Sequence, residues 1–197
     1  MTSLDVGPKH GHENFINAII EHKGFSSYLE IGTHYDYCFS VIKCAKKVGV
    51  DPVRGGTLRM TSDEFFAQNT EKFDIIFIDG SHHHDQVKTD VENSLLCLNL
   101  GGLIVMHDCN PPTREFELQT ACGTAWRAFA HLRQRDDINM AVGDFDLGVG
   151  MVRVEPNDDA QKLTENFQTL DYTLLENNRV SLLRLKTPSD AFEWITK

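Results

Sequence analysis

One stretch constrains the fold of this chain more than any other: residues 73–110, FDIIFIDGSHHHDQVKTDVENSLLCLNLGGLIVMHDCN. Its two apolar runs, IIFI and LIVM, predict buried strands, and residues 85–98 between them predict a helix. Strand, helix and strand in this order are typical of a parallel sheet that is covered by helices. Asp79 follows the first run directly and Asp108 follows the second after His107, so both are expected at the edge where open α/β sheets bind their ligands.

The rest of the chain repeats this alternation of strands and amphipathic helices. Its predicted helices are residues 12–23, 36–46, 63–68 and 121–135, and its predicted strands are residues 27–31, 47–50, 58–60, 138–142 and 147–154. A hairpin-like connection, whose aspartates Asp144 and Asp146 we interpret as solvated, joins the last two strands. The pattern predicts an α/β fold: a Rossmann-like three-layer sandwich with a mostly parallel seven-stranded sheet and an antiparallel last strand.

Length and composition favour one well-buried core over two, because the chain has 197 residues with 41% hydrophobic content. No linker, internal repeat or low-complexity tract divides it. We therefore predict a single domain over residues 1–197, with an N-terminal helical segment (residues 1–24) and a helical C-terminal extension (residues 158–197). The side chains of Trp126 and Phe129 are expected in the core.

The charge of the chain disfavours nucleic acid as a partner, since the net charge is −10 and no block of Lys and Arg occurs. A small molecule is easier to accommodate. The polar start, residues 1–11, is expected to be loose, and no leader is expected because no apolar run follows a basic one. No run is long enough for a membrane span, so we expect a cytoplasmic protein. The sequence does not distinguish a monomer from a homo-oligomer.

The cysteines predict neither a zinc cluster nor a disulfide framework, because they are odd in number and form no CxxC pair. We expect free thiols in a reducing compartment. The five are Cys38, Cys44, Cys97, Cys109 and Cys122.

The ends of the first two strands carry residue types that suit a nucleoside-like ligand. In Glu30-Ile31-Gly32-Thr33, the glycine lets the backbone turn close to a ligand and the carboxylate accepts from ammonium or hydroxyl groups. Asp51 ends the second strand, where such folds hold a ribose diol. The simpler interpretations are a turn glycine and a solvated aspartate. The fingerprint GxGxxG is absent, which disfavours a pyrophosphate.

Two further positions lie after the third and fourth strands. Ser62 and Asp63 either reach an adenine edge or cap the following helix, and a cap explains at least one of them. His82 lies closest to the end of the fourth strand, and histidine is the expected general base for a hydroxyl group. We interpret His83 and His84 as an exposed helix start.

Oxygen ligands gather at two neighbouring strand ends. Asp79, Asp108 and Asn110 suit Mg²⁺ better than zinc, and a metal there would orient a diol and lower the pKa of its hydroxyl. The alternative is that Asp108 and Asn110 only shape the loop before Pro111 and Pro112. The sequence leaves both possibilities open.

Four motifs together, YLEIG, VGVDP, FDIIFIDGSHH and LGGLIVMHDCNPP, resemble the class I S-adenosylmethionine-dependent methyltransferases. They are most similar to a bacterial group of small-molecule and sugar O-methyltransferases. The resemblance covers residues 28–135, and the tail YTLLENNRVSLLRLKTPSDAFEWI is similar to the C-terminal end of some members. It implies methyl transfer from S-adenosylmethionine to a hydroxyl of a small molecule or sugar, with Mg²⁺ as an optional cofactor.

The resemblance also implies where the cofactor lies. Glu30 and Gly32 would lie against its methionine part, with Thr33 beside them. Asp51 would hold the ribose. The remaining cofactor-binding positions are Ser62 and Asp63 near the adenine and Asp79 at the end of the fourth strand.

For the acceptor, the resemblance to metal-dependent sugar O-methyltransferases implies separate roles. In their Asp-x-x-His motif the aspartate is a metal ligand and the histidine a general base, which matches Asp79 and His82. Asp108 matches a second metal ligand. The sequence departs from the pattern at His107, where some such enzymes carry another acid. It also departs in THYD after Gly32, where a second glycine is common.

Two other functions stay open. One is an NAD(P)-dependent oxidoreductase, which the missing GxGxxG disfavours. The other is a non-catalytic module that keeps the fold, an alternative suggested by the glycine-poor loop after the first strand.

Overall fold

A computed structural model describes residues 11–157, 159–160 and 162–197. The predicted loose start, residues 1–11, lies outside the described residues except for Gly11, which is buried at the start of the first helix. The strands are β1 (Ser27–Ile31), β2 (Lys46–Val50), β3 (Phe73–Ile78), β4 (Leu98–Met106), β5 (Asn139–Gly143), β6 (Val149–Arg153) and β7 (Leu185–Lys186). The helices are α1 (His12–Lys23), α2 (Tyr37–Val41), α3 (Ser62–Gln68), α4 (His84–Leu96), α5 (Ala125–Leu132), α6 (Tyr172–Leu183) and α7 (Pro188–Thr196).

The seven strands form one sheet in the order β2-β1-β3-β4-β6-β5-β7. Strand β6 is antiparallel to both of its neighbours, β4 and β5, and the other pairs are parallel. The antiparallel strand follows from the short connection between β5 and β6, which is a hairpin and leaves no room for a crossover helix. This arrangement confirms the predicted fold class.

Alternation along the central strands gives the sheet two apolar faces. One face, which includes Ile76 and Ile104, packs against residues of α4, α5 and α6. The other face, which includes Phe77 and Val105, packs against residues of α1 and α7. Helices therefore cover both sides, which makes the three layers. Trp126 on α5 is fully buried, as predicted.

The strand register brings four chain segments out of the sheet at one edge. Ile31 of β1 pairs with Val50 of β2 and with Ile78 of β3. Ile78 in turn pairs with Met106 of β4. The residues that follow these four positions therefore leave the sheet at the same level, and they are Gly32, Asp51, Asp79 and His107.

One predicted strand is wrong, and another was missed. Leu58 makes only an isolated bridge with Val50, because the flanking residues turn away: the side chain of Arg59 reaches back to the carbonyl oxygen of Asp51 at 3.0 Å. The seventh strand is β7, which lies inside the extension that was predicted to be helical and pairs with β5 over two residues.

The helix predicted over residues 36–46 is also wrong beyond Val41. Lys46 pairs with Ser27 at the start of β2, so the chain must be extended there. Helix α2 therefore ends at Val41, whose side chain is 47% exposed.

Other helix boundaries differ from their predictions by a few residues. Helix α4 ends at Leu96, because Leu98 already pairs in β4. Helix α5 is shorter than predicted at both ends. The cap of α3 is Thr61, which forms a capping box with Glu64, so the prediction that Ser62 or Asp63 caps this helix is wrong.

Two further features of the chain are its cysteines and the length of its helices. All five cysteines, each within the described residues, are free thiols. Among the described helices, none is both long and apolar enough to cross a membrane.

Strand β4 offers a matched test of which face stabilises the fold. Leu103 is 4% exposed, whereas Leu100 on the same strand is fully exposed. We expect Leu103→Ala to lower the free energy of unfolding by roughly 2–5 kcal/mol, through lost burial and a cavity. Leu100→Ala, the same chemical change, is expected to stay within about 0.5 kcal/mol. Urea denaturation measures both, and equal losses would contradict this assignment of the core.

Candidate active site

Gly32 allows the ends of three strands to meet. Its φ is +91°, and a Cβ atom built on it would lie 2.1 Å from the carbonyl oxygen of Asp79. The amide of Gly32 donates to the carbonyl oxygen of Val50, and the amide of Asp79 donates to that of Ile31, both at 2.8 Å. Only glycine fits this position, because the backbone of the neighbouring loop occupies the space of a side chain.

Glu30 is a buried carboxyl group on β1, two residues before Gly32. It is 1% exposed, and the hydroxyl group of Tyr28 donates a hydrogen bond to it. Burial raises the pKa of Glu30 from 4.5 to about 8. A carboxyl group in this state favours a cationic or hydrogen-bond-donating partner, because such a partner compensates the charge on ionisation.

Asp51 joins the loop after β2 to the loop after β1. One carboxylate oxygen accepts from the amides of Val53 and Arg54, both at 2.8 Å, and the other accepts from the amide of His34 at 2.9 Å. Burial opposes the charge, but these backbone donors outweigh it and lower the pKa of Asp51. The carboxylate therefore holds both loops at the strand ends.

The loop after β1 forms its tight turn without a second glycine of its own. His34 and Asp36 take left-handed φ values of 44° and 62°. The neighbouring loop supplies the glycines instead: the amide of Gly56 donates to the carboxylate of Asp36 at 2.7 Å, and a Cβ on Gly55 would lie 2.3 Å from the carbonyl oxygen of His34. Thr33 is buried at the base of this turn.

Ser62 and Asp63 face helix α4. The side-chain amide of Gln86 donates to the hydroxyl oxygen of Ser62 at 3.2 Å and to the carboxylate of Asp63 at 3.0 Å. It also donates to the buried carboxyl group of Asp90 at 3.0 Å. The structure thus places both residues beside α4, and their contact with an adenine stays a prediction.

Two carboxylates and two imidazoles meet at the ends of β3 and β4. The Nε2 atom of His82 lies 3.6 Å from the Oδ1 atom of Asp79 and 3.4 Å from the Oδ2 atom of Asp108. The Nδ1 atom of His107 lies 3.3 Å and 3.5 Å from the same two oxygen atoms. Three of these four residues, Asp79, His82 and Asp108, were predicted at this site from the sequence.

The loop around residues 121–124 fixes the ring of His82. Its Nδ1 atom hydrogen-bonds to the carbonyl oxygen of Ala121, and the amide of Thr124 donates to the carbonyl oxygen of His82 at 2.8 Å. Since Nδ1 carries a proton toward Ala121, Nε2 is the atom that gains or loses the second proton, on the side of the carboxylates. Burial lowers the pKa of His82, but the hydrogen bond with Asp79 and the charge of Asp108 outweigh this effect and raise it.

Asn110 lies outside this group. Its side-chain nitrogen donates to the carboxylate of Asp144 at 3.0 Å, and its side-chain oxygen accepts from Arg179. Its amide and that of Cys109 bond to the carbonyl oxygens of Leu147 and Gly148. These bonds attach the loop after β4 to the turn between β5 and β6.

Three functional candidates were missed or misjudged from the sequence. Asp146 was interpreted as solvated, which is wrong, since it is 5% exposed. Its carboxylate accepts from the amides of Gly11 and His12 and contacts the ring of His12. His107, noted only as a departure, lies between Asp79, Asp108 and Asp146. Nothing in the local sequence marks His12, because its contact with Asp146 spans 134 positions.

The two histidines after His82 differ from each other. The side chain of His83 is 52% exposed, as predicted. The prediction that His84 is exposed is wrong, because its ring is buried and contacts the hydroxyl of Thr124 at 2.9 Å.

Comparison with known proteins finds a family model that matches the part of the chain with these strand ends. Residues 29–109 match a family model described as a methyltransferase domain. No curated protein sequence matches significantly.

Solved structures are similar to the chain over most of its length. A methyltransferase from Podospora anserina, bound to S-adenosylhomocysteine, is 15% identical, with a TM-score of 0.58 over 79% of this chain and 82% of that one. An O-methyltransferase from Bacillus cereus in complex with S-adenosylhomocysteine is 16% identical, with a TM-score of 0.52 over 76% and 81%. An O-methyltransferase of tomaymycin synthesis from Streptomyces achromogenes, in complex with S-adenosylmethionine, is 13% identical, with a TM-score of 0.54 over 77% and 82%. At these identities the likeness establishes the fold.

The close packing at Gly32 can be tested against a glycine of similar backbone conformation. Gly24 also has a positive φ, +68°, but a Cβ there would meet nothing within 4 Å. We expect Gly24→Ala to cost about 1–2 kcal/mol through backbone strain alone, and Gly32→Ala to cost clearly more, because it also separates the strand ends. Chemical denaturation of the two variants gives the comparison. Equal costs would show that the approach of Asp79 does not require glycine.

Burial of Glu30 predicts a pH dependence of stability. The folded state keeps this carboxyl protonated up to about pH 8, whereas the unfolded chain ionises near 4.5. The unfolded state thus binds fewer protons in this window, so the stabilising contribution is lost as the pH rises through it. We expect Glu30→Gln to flatten the fall in melting temperature between pH 5 and pH 8.5. Glu176→Gln, at an exposed position, should leave the wild-type slope, and an unchanged slope in both variants would contradict the assignment.

Proposed function

We propose that the protein transfers the methyl group of S-adenosylmethionine to a hydroxyl group of a small molecule or a sugar, and the match of residues 29–109 to a methyltransferase-domain model supports this proposal. The observation that carries the proposal is the group formed by Asp79, His82 and Asp108. It combines a base with two carboxylates at the edge where such sheets bind ligands. No observation favours the nicotinamide-dependent alternative, because the pyrophosphate fingerprint is missing.

The cofactor fits the residues at the ends of β1 and β2. At Gly32 the backbone carries no side chain, since any side chain there would meet the carbonyl oxygen of Asp79. A ligand could therefore approach the backbone closely at this position. We assign Glu30 to the methionine end, where a bound ammonium group would return the buried carboxyl to its charged form. Asp51, Thr33 and the pair Ser62 and Asp63 are assigned to the ribose and adenine side.

The donor set near β3 and β4 also fits a divalent cation. Ligand atoms of Asp79, His82 and Asp108 lie within 4.8 Å of one another, and the Oδ1 atom of Asp108 is buried with no hydrogen-bond partner among the described residues. We propose Asp79 and Asp108 as ligands of an Mg²⁺ ion. Asn110, the third ligand predicted from sequence, would join them only by leaving Asp144 and Arg179. When bound, the ion would hold the acceptor and lower the pKa of its hydroxyl group.

His82 is the proposed general base. Its Nδ1 proton is directed to Ala121, so Nε2 of the neutral ring is the atom that would take the proton of the acceptor hydroxyl. The neighbouring carboxylates, Asp79 and Asp108, stabilise the imidazolium that results. Because S-adenosylmethionine supplies an already activated methyl group, the remaining contribution of the protein is to align the hydroxyl with it.

The chemical class of the acceptor is proposed from the side chains at the ends of β3 and β4 and from the net charge of the chain. Carboxylates and imidazoles suit a polar molecule with hydroxyl groups, such as a sugar or a diol. The net charge of −10 gives no support to a nucleic-acid acceptor.

The base assignment is tested by His82→Ala, with His83→Ala as the matched control at the adjacent exposed position. We expect His82→Ala to reduce methyl transfer about 10²–10⁴-fold and to leave the affinity for S-adenosylmethionine unchanged. His83→Ala should retain both. Transfer is followed as S-adenosylhomocysteine released with a panel of sugars and catechols, and binding by calorimetry. Undiminished turnover in His82→Ala would remove His82 from the mechanism, and a wild-type chain that binds no S-adenosylmethionine would favour the non-catalytic alternative.

A further inference from the structure

A second group of metal-ligating side chains lies behind the proposed acceptor site. It consists of His12 at the start of α1, His107 after β4, and Asp146 in the turn between β5 and β6. These residues come from three distant parts of the chain and meet on the face of the sheet that α1 covers, where the ring of His12 stacks on Phe77.

The spacing of the ligand atoms suits one small cation. The Nδ1 atom of His12 lies 2.7 Å from the Oδ2 atom of Asp146, and the Nε2 atom of His107 lies 3.6 Å from its Oδ1 atom. A tetrahedral zinc site with bonds of about 2.1 Å has edges of about 3.4 Å between its ligand atoms. The longer distance is close to this edge, and the shorter one is a hydrogen bond that the ion would replace. We infer that His12, His107 and Asp146 bind a zinc-type divalent transition metal ion, at a site distinct from the cation proposed for the acceptor.

Two buried polar atoms at this group have no hydrogen-bond partner among the described residues. They are the Nε2 atom of His107 and the Oε2 atom of Glu13. Buried polar atoms without partners are rare, and each calls for an explanation such as an ion. A metal ion between His107 and His12 would satisfy the first atom directly.

The outer contacts of the three ligands follow the pattern found around protein metal sites, in which the second ring nitrogen of each histidine donates to a carboxylate or carbonyl group. The Nδ1 atom of His107 faces Asp79 at 3.3 Å. The Nε2 atom of His12 faces the unpartnered oxygen of Glu13 at 3.7 Å. Asp146 is oriented by the amides of Gly11 and His12, at 2.8 and 2.9 Å.

The backbone at Asp146 is also held in an unfavourable conformation. Asp146 and Leu147 are consecutive non-glycine residues with positive φ, 48° and 60°. Such conformations persist where the surroundings fix them, and they concentrate at binding and catalytic sites.

The choice of metal follows from the ligand types. Two imidazoles and one carboxylate suit zinc, whereas Mg²⁺ and Ca²⁺ prefer sites made of oxygen alone. The ion would tie α1 to the β5–β6 turn, and the site does not depend on the proposed methyl transfer.

The test is calorimetric titration of the chelator-treated full chain with Zn²⁺. We expect the wild type to bind an ion that is lost, or weakened more than about 100-fold, in His12→Gln and in Asp146→Asn. Both changes keep a polar side chain of similar length at the position. His83→Gln is the matched control, since it removes a histidine from the exposed group His83, His84 and Asp85, and should bind Zn²⁺ as the wild type does. Mg²⁺ at the same concentration should not compete.

Four outcomes would overturn the inference: no Zn²⁺ binding by the wild type, an unchanged affinity in His12→Gln, a loss that follows only His82→Gln in the acceptor group, or effective competition by Mg²⁺. Circular dichroism of the metal-free variants shows whether they fold. If they do not, zinc-edge X-ray absorption of the wild type decides without any variant. Two imidazole nitrogens in the first shell are expected there, and fewer than two would contradict the site.

Discussion

The side chains at the C-terminal ends of the strands depend on one interaction, the contact of the His107 imidazole with the carboxylates around it. The two nitrogen atoms of this ring lie within 3.6 Å of three carboxylates, those of Asp79, Asp108 and Asp146. Two unit charges about 4 Å apart interact by about 4 kcal/mol at an effective dielectric constant of 20, so carboxylates gathered around one ring repel one another strongly unless a positive partner lies between them. Burial alone would lower the pKa of His107, but the carboxylates raise it well above its usual value.

Around this centre, each strand end has a different task. The ends of β1 and β2 are joined by Gly32 and by the carboxylate of Asp51, which form a tight, largely backbone-built junction. The ends of β3 and β4 contribute titratable side chains instead. This division matches the proposed chemistry. The ends of β1 and β2 would hold the methyl donor, and the ends of β3 and β4 would hold a base beside the acceptor.

Much of the fold could be predicted from the sequence, because its signals are local. The five residues of β1 are uniformly buried and were predicted with the observed bounds. Asp79, His82 and Asp108 could be predicted to lie together, because they follow two strands that were expected to be neighbours in the sheet. Two parts could not be predicted in this way. Strand β7 has only two residues, too few to show any periodicity. Asp146 looked like a solvated turn residue, since its burial depends on Gly11 and His12, about two thirds of the chain away.

The link between Asp146 and the start of α1 has a consequence for synthesis of the protein. Helix α1 is the first described element to leave the ribosome. Gly11, just before this helix, is hydrogen-bonded to Asp146, which lies 135 positions later in the chain. The apolar face of α1, which includes Phe15 and Ile16, shares a core with Ala191 and Ile195 of α7. During translation the contacts of this face with α7 therefore form only after almost the whole chain is made. At 5–20 residues per second, that part of the face stays uncovered for on the order of ten seconds or more, which is long enough for a chaperone to bind it.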